Sequence, residues 1–206
     1  MSLKEIDLAK NWSALPEDVA EFLAEADARV GQFRNKNFCG FRGFVPSDFV
    51  ALYHALREIT NANLTTGSDF CEWGSGLGVV ASLAAMLDLD AVGIEIDRDL
   101  FDAANELAND FDIPVEFVNG SFIPQGADSI IDGAYAECDG ALSLDAHADD
   151  AYDELGLEVR DFDLIFAFPW PNDEELTASL FEQFAAVGAL LLTYNETDAV
   201  RLRRKR

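Results

Sequence analysis

Asp69-Phe70-Cys71-Glu72-Trp73-Gly74-Ser75-Gly76-Leu77-Gly78, followed by an apolar run and then by Ala91-Val92-Gly93-Ile94-Glu95-Ile96-Asp97, is the stretch on which the fold turns. A short strand ending at Glu72 runs into three glycines at alternate positions. Glycine adopts positive φ and lets backbone lie against a ligand with no Cβ between them. Val79, Val80, Leu83, Ala84 and Leu87 then recur at helical spacing, so the turn opens a helix whose free N–H groups and positive dipole end are expected to face one crevice. Ala91 to Ile96 reads as a buried strand. Glu95 near its end lies about twenty residues beyond the turn, where an acid can accept both hydroxyls of a ribose.

The glycine spacing separates two cofactor classes. A dinucleotide fingerprint requires a small third residue, G-x-G-x-x-G/A, and that position is Val79 here. The pattern present is G-x-G-x-G with an acid two residues ahead of it. Glu72 to Gly78 followed by Gly93-Ile94-Glu95 is similar to the first two motifs of class I S-adenosylmethionine-dependent methyltransferases. The resemblance implies a doubly wound, mostly parallel, Rossmann-like α/β sheet that binds S-adenosyl-L-methionine. It implies that Gly74, Ser75, Gly76 and Gly78 lie against the methionine part, Glu72 at its amino group, Glu95 at the ribose, and Ser121 with Phe122 at the adenine, with Ile96 also among the cofactor-binding residues. Three other readings stay open: a glycine turn with no ligand, an NAD(P)-dependent oxidoreductase, and a non-catalytic adenosylmethionine-binding protein. The oxidoreductase is opposed by Val79 and by the lack of a Tyr/Lys or His catalytic pair.

The 206 residues fit one domain, and their formal charge of -25 repels nucleic-acid phosphate and anionic membrane surfaces. A nucleic-acid substrate is therefore disfavoured, and a cationic acceptor such as a lysine-bearing protein or an amine would be steered inward. Solubility alone accounts equally well for the charge. Cys39, Cys71 and Cys138 are too scattered for a disulfide framework or zinc spacing. Met1 to Lys10 is polar and charged, and no apolar run approaches the roughly 18 residues of a membrane span. A cytoplasmic protein is expected.

Working outward, residues 1–47 read as a helical N-terminal extension with a lid, and 48–206 as the methyltransferase-like domain. Pro16 to Phe33 is amphipathic, with Val19, Phe22, Leu23, Ala26, Val30 and Phe33 on one face. The aromatic, glycine-rich segment Asn35 to Pro46 is too apolar to be left in water. Phe44-Val45-Pro46-Ser47-Asp48 resembles the lid of the non-SET protein-lysine methyltransferase type, and a lid over the cofactor and a plug at the end of the sheet are both open. Ser47 or Asp48 would cap the next helix, whose buried stripe is read as Phe49, Val50, Leu52, Tyr53, Leu56 and Ile59.

Beyond the opening stretch, Asp99 to Phe111 is a helix and Val115 to Val118 a strand leading to Asn119-Gly120-Ser121-Phe122. Ser121 stands where the resembled family commonly has an acid, which weakens the expected adenine contact. Residues 123–162 form an acidic insertion, read as a solvated surface or as a rim that receives a cationic acceptor. Asp163 to Ala167 is the fourth strand, and Phe168, Pro169 and Trp170 at its exit are the acceptor-site candidates. Phe168 replaces the polar residue that amide- and amine-directed members carry, which argues against a DNA-adenine or glutamine acceptor and leaves an aromatic wall for a lysine stem or apolar group. Asp173 to Ala186 and Ala189 to Asn195 supply a helix and a fifth strand. The sheet is expected to be truncated there, unless the N-terminal segment or a second subunit covers its edge. Arg201 to Arg206 reads most simply as a solvated or self-neutralising tail. His54 and His147 lack the partners that nucleophilic catalysis needs, so no general base is assigned.

Overall fold

The computed structural model describes residues 2–9, 12–36, 45–137, 151–195 and 199–206. Five parallel strands form the centre: β2 (Asp69–Trp73), β3 (Asp90–Glu95), β4 (Val115–Asn119), β5 (Leu164–Ala167) and β6 (Leu190–Tyr194). Most are buried on both faces, which is why they read as continuous apolar runs. Phe70 faces one layer of the core while Cys71 and Trp73 face the other. The first layer is covered by α1 (Glu17–Lys36), α2 (Phe49–Asn61), α3 (Val79–Ala85) and α4 (Arg98–Asp110). The second is covered by α5 (Asp128–Glu137), α6 (Ala151–Leu155) and α7 (Glu174–Phe184). This is a doubly wound sheet. From β2 the chain winds outward through β3 and β4, then returns to β5 on the other side, so the switch point lies between β2 and β5.

Truncation after the fifth strand is not what the chain does. The sheet has seven strands in the order β1-β7-β6-β5-β2-β3-β4, with β7 (Val200–Lys205) antiparallel to β6 and β1 (Leu3–Ile6) antiparallel to β7. The basic segment expected as a solvated tail is therefore a strand inside the sheet. Leu202 points into the core at 1% exposure, the Lys205 ammonium donates to the Ala185 carbonyl, and Arg204 Nη2 donates to the Leu64 carbonyl at 2.7 Å. β7 lies between β1 and β6, so residues on either of its faces can be buried, Leu202 on one and Lys205 on the other. The inward apolar residue anchors the strand, and long basic stems reach carbonyls at the ends of neighbouring elements.

Asp48 caps α2 as expected, accepting from Ala51 N–H at 2.9 Å. Val50, assigned to the buried stripe of α2, is instead exposed, and Tyr53, His54 and Ala55 are buried beside Leu52, Leu56 and Ile59. Arg29 ties α1 to α4 by pairing with both Glu25 and Asp110. Most of the lid segment, 37–44 with Cys39, lies outside the described residues, as do 138–150 of the acidic insertion with Cys138 and His147. Among the described residues no helix is long and apolar enough to cross a membrane.

Candidate functional site

Gly74 and Gly78 of the turn differ in what a side chain would meet. Gly74, Gly76 and Gly78 all have positive φ, at 72°, 56° and 70°. At Gly78 a Cβ would lie 2.2 Å from Phe117 Cζ and 3.0 Å from Ala104 Cβ, and at Gly93 a Cβ would lie 2.5 Å from Phe117 Cδ1. These two glycines make room for the Phe117 ring from β4. Gly74 differs, because a Cβ there would meet nothing within 4 Å. Its missing side chain opens onto free space at the carboxyl ends of β2 and β3.

The turn's own amides are used within the protein. Gly74 and Ser75 N–H both donate to the Ile94 carbonyl at 2.9 Å, and Gly78 N–H donates to the Ser75 carbonyl at 2.8 Å. Gly76 N–H donates to Glu95 Oε2 at 2.7 Å. The parallel pairing of β2 with β3 brings the Ile94 carbonyl under the turn, so these four donors are satisfied within the protein. What remains for a ligand is the open face at Gly74, the carboxylates and the Ser75 hydroxyl. Ser75 is buried, and among the described residues its Oγ has no hydrogen-bond partner.

Glu95 points over the turn, as expected from the sequence. Its Oε1 accepts from Asp97 N–H at 2.8 Å, and the side chain is 7% exposed. Burial pushes its carboxyl up, opposed by the amides of Asp97 and Gly76. Glu72 is 4% exposed, and its Oε2 accepts from Ala81 N–H at 2.7 Å. Burial holds its carboxyl well above the usual carboxylate range, the Ala81 amide works against this, and Glu95 adds to it. Two carboxylates thus flank one glycine turn.

The other predicted residues fall around the same rim. Ile96, at the tip of β3, is 45% exposed. Ser121 is buried, and its Oγ accepts from Ile123 N–H at 3.1 Å, so the hydroxyl helps to shape its own turn. Phe122 stacks on Trp73, with ring centroids 5.2 Å apart and planes 8° from parallel. Phe168, Pro169 and Trp170 are half-buried beyond β5, and Phe168 meets Tyr194 edge-to-face at 5.1 Å. Sequence reasoning assigned no role to Trp73 or Asn119. Trp73 is buried with its Nε1 unpartnered, while Asn119 Nδ2 donates to the carbonyls of Glu95 at 2.8 Å and Ile96 at 3.1 Å and so fixes the tip that carries Glu95. An amide side chain one strand over from the acid, in register with it, is the signal that could have marked Asn119. Among the described residues no group of His, Cys, Asp and Glu side chains could hold a metal ion.

The strand order, the switch point and the glycine turn beneath it define a Rossmann-like methyltransferase fold. The chain is similar in structure to a methyltransferase from Geobacter sulfurreducens, with 16% identity, 95% of this chain and 93% of that chain covered, and a TM-score of 0.50. It also aligns with an RNA methyltransferase from Salinibacter ruber in complex with S-adenosyl-L-homocysteine, with 20% identity, 78% and 92% coverage, and a TM-score of 0.49. An O-methyltransferase from Bacillus cereus aligns with 12% identity, 87% and 66% coverage, and a TM-score of 0.49. No family model and no curated protein matches the sequence.

Proposed function

We propose that this chain is an S-adenosylmethionine-dependent methyltransferase whose acceptor is an amine, protein lysine side chains included. The observation that carries the reading is the Glu95 carboxylate held over the glycine turn by Gly76 N–H, beside the open face at Gly74. Only a ligand that brings hydroxyls to that acid and a slender, polar chain to that turn uses both. The residues fit the cofactor. Glu95 would take the ribose hydroxyls, Glu72 the amino group, the Ser75 hydroxyl a polar atom of the amino-acid end, and Ile96 and Phe122 the flat faces of the base. The bound cofactor supplies a methyl group already activated on a sulfonium. The protein's part is then to position an acceptor in line and to keep water out. Half-buried aromatics at the exit of β5 suit the stem and charge of an amine, and a net charge of -25 draws a cation toward them.

The reading is tested by incubating the protein with methyl-labelled cofactor and a cell extract, with Gly74→Ala as the control. Label transferred by the wild type and not by the variant supports it. Retention of NAD in place of adenosylhomocysteine in a binding assay would overturn it.

A further inference from the structure

We propose that Tyr152, on the short helix α6 inside the acidic insertion, is a positioning residue for the base end of the cofactor: its hydroxyl holds the turn after β4 so that the Phe122 ring lies as a fixed shelf. This deepens the methyltransferase reading, which sets the base against Phe122, and rests on it.

Hydrogen bonds between the insertion and the turn carry the inference. Ala151 and Tyr152 are buried, in a stretch otherwise rich in acids. Tyr152 O–H donates to the Phe122 carbonyl at 3.1 Å, and Ala151 N–H donates to the Ser121 carbonyl at 3.1 Å. Two successive carbonyls of the turn are thus taken by two successive residues of α6. Both acceptors are main-chain oxygens, so the bonds fix the path of the turn itself. Ile123 N–H, donating to Ser121 Oγ at 3.1 Å, closes the turn from its other side. The phenol ring of Tyr152 is set in turn by Phe162, with ring centroids 6.5 Å apart. What this clamp holds is an aromatic shelf. Trp73 is buried and stacks on Phe122 with the planes 8° from parallel, so one face of Phe122 is covered by protein. Phe122 is only half-buried, and its other face suits a flat base. Trp73 is followed directly by Gly74, which puts the shelf and the open face of the glycine turn at one strand end. Removing the Tyr152 hydroxyl frees the Phe122 carbonyl and leaves Glu95 and Gly76 held by their own bonds.

The base end is separated from the rest by measuring two ligands, S-adenosylhomocysteine and S-ribosylhomocysteine, the second being the first without its base. Tyr152→Phe should bind S-adenosylhomocysteine about two- to tenfold more weakly than wild type, the effect of one hydrogen bond, and S-ribosylhomocysteine equally well. In a Phe122→Ala background, where the shelf is gone, adding Tyr152→Phe should change neither affinity. Amide hydrogen exchange of the wild type gives a reading that needs no variant to fold: S-adenosylhomocysteine should slow exchange at Ala151 and Ile123, and S-ribosylhomocysteine should not. Equal weakening of both ligands, weakening of neither, or equal protection by both overturns this inference and leaves the methyltransferase reading intact. Failure of the wild type to bind S-adenosylhomocysteine overturns that reading, and this inference with it.

Discussion

Alanine substitution at Gly74 and Gly78 separates the glycine proposed to face a ligand from the glycine that makes room for the core. Both have φ near 70°, a region that costs a residue with a Cβ about 1–2 kcal/mol. Gly74→Ala incurs that cost alone, because its Cβ meets nothing within 4 Å. In Gly78→Ala the new Cβ would overlap Phe117 Cζ, 2.2 Å away, in a place where Phe117 is 8% and Ala104 0% exposed. Overpacking of this kind adds about 1–3 kcal/mol, which brings the total to about 2–5 kcal/mol. For a chain of this length, each kcal/mol moves Tm by about 2–4 °C. Gly78→Ala should therefore melt about 4–20 °C lower than wild type and Gly74→Ala about 2–8 °C lower. The order reverses for ligand: Gly74→Ala, folded and with its open face filled, should bind adenosylhomocysteine at least about tenfold more weakly, the effect of one lost contact of about 1.4 kcal/mol. Thermal melts with and without ligand measure both quantities. A double-mutant cycle with Phe117→Leu isolates the clash, since removing the ring should recover part of the loss at position 78 and none at 74. Equal destabilisation by the two alanines, or no coupling between 78 and 117, would refute the division of labour.

Glu72→Gln should stabilise the free protein at neutral pH. With its folded carboxyl held up by burial, the native state keeps a proton that the unfolded chain loses above about pH 4.3. Stability therefore falls as pH rises from there toward the raised folded value, by up to about 1.4 kcal/mol per unit, and urea midpoints at about pH 5 and about pH 7.5 should show the variant losing that slope. Leu202→Ala should cost about 2–5 kcal/mol by chemical denaturation, as expected of a buried strand residue, where a solvated tail would lose nothing measurable. At the opposite end of the sheet, burial raises the Asp69 carboxyl, and Asp163 and Asp90 add to it. Asp69→Asn should raise stability by less than about 1 kcal/mol because the site is exposed to solvent, and the gain should shrink as salt is added.

The parallel half of the sheet was legible because strands buried on both faces leave unbroken apolar runs, and because the glycines between Glu72 and Glu95 mark a strand-turn-helix-strand unit. The antiparallel half was not. Val200 to Lys205 places Leu202 in the core among arginines and a lysine, of which Arg204 and Lys205 find carbonyls and Arg201 pairs with Glu5. Nothing local distinguishes that from a basic tail. Leu3 to Ile6 is equally silent, being too short to display a period and paired with a strand about two hundred residues away. The spacing of Glu95 from the glycines was legible, and the partners of the turn's amides were not. Glycine spacing reports that a backbone may bend, but which carbonyl then accepts its N–H depends on how β3 lies beside β2. Gly78 teaches the same lesson, since its need for glycine comes from Phe117, a partner across the sheet that no local pattern announces.

The distribution of cations links the fold to the proposed chemistry. The chain has 14 lysines and arginines against 39 acids, and the described basic residues with assigned partners serve the architecture. Arg204 closes the carbonyls of Leu64 and Gly188, Lys205 that of Ala185, Arg201 pairs with Glu5 across β1 and β7, and Arg29 joins α1 to α4. All of these contacts lie away from the turn between β2 and α3, where Glu72 and Glu95 are held by backbone amides alone. A lysine or arginine beside them would neutralise the pair and stabilise the free protein, and it would also occupy the place of a positively charged ligand. Leaving two acids buried without one costs stability in the free state, and under the proposed function a cationic cofactor would return it on binding.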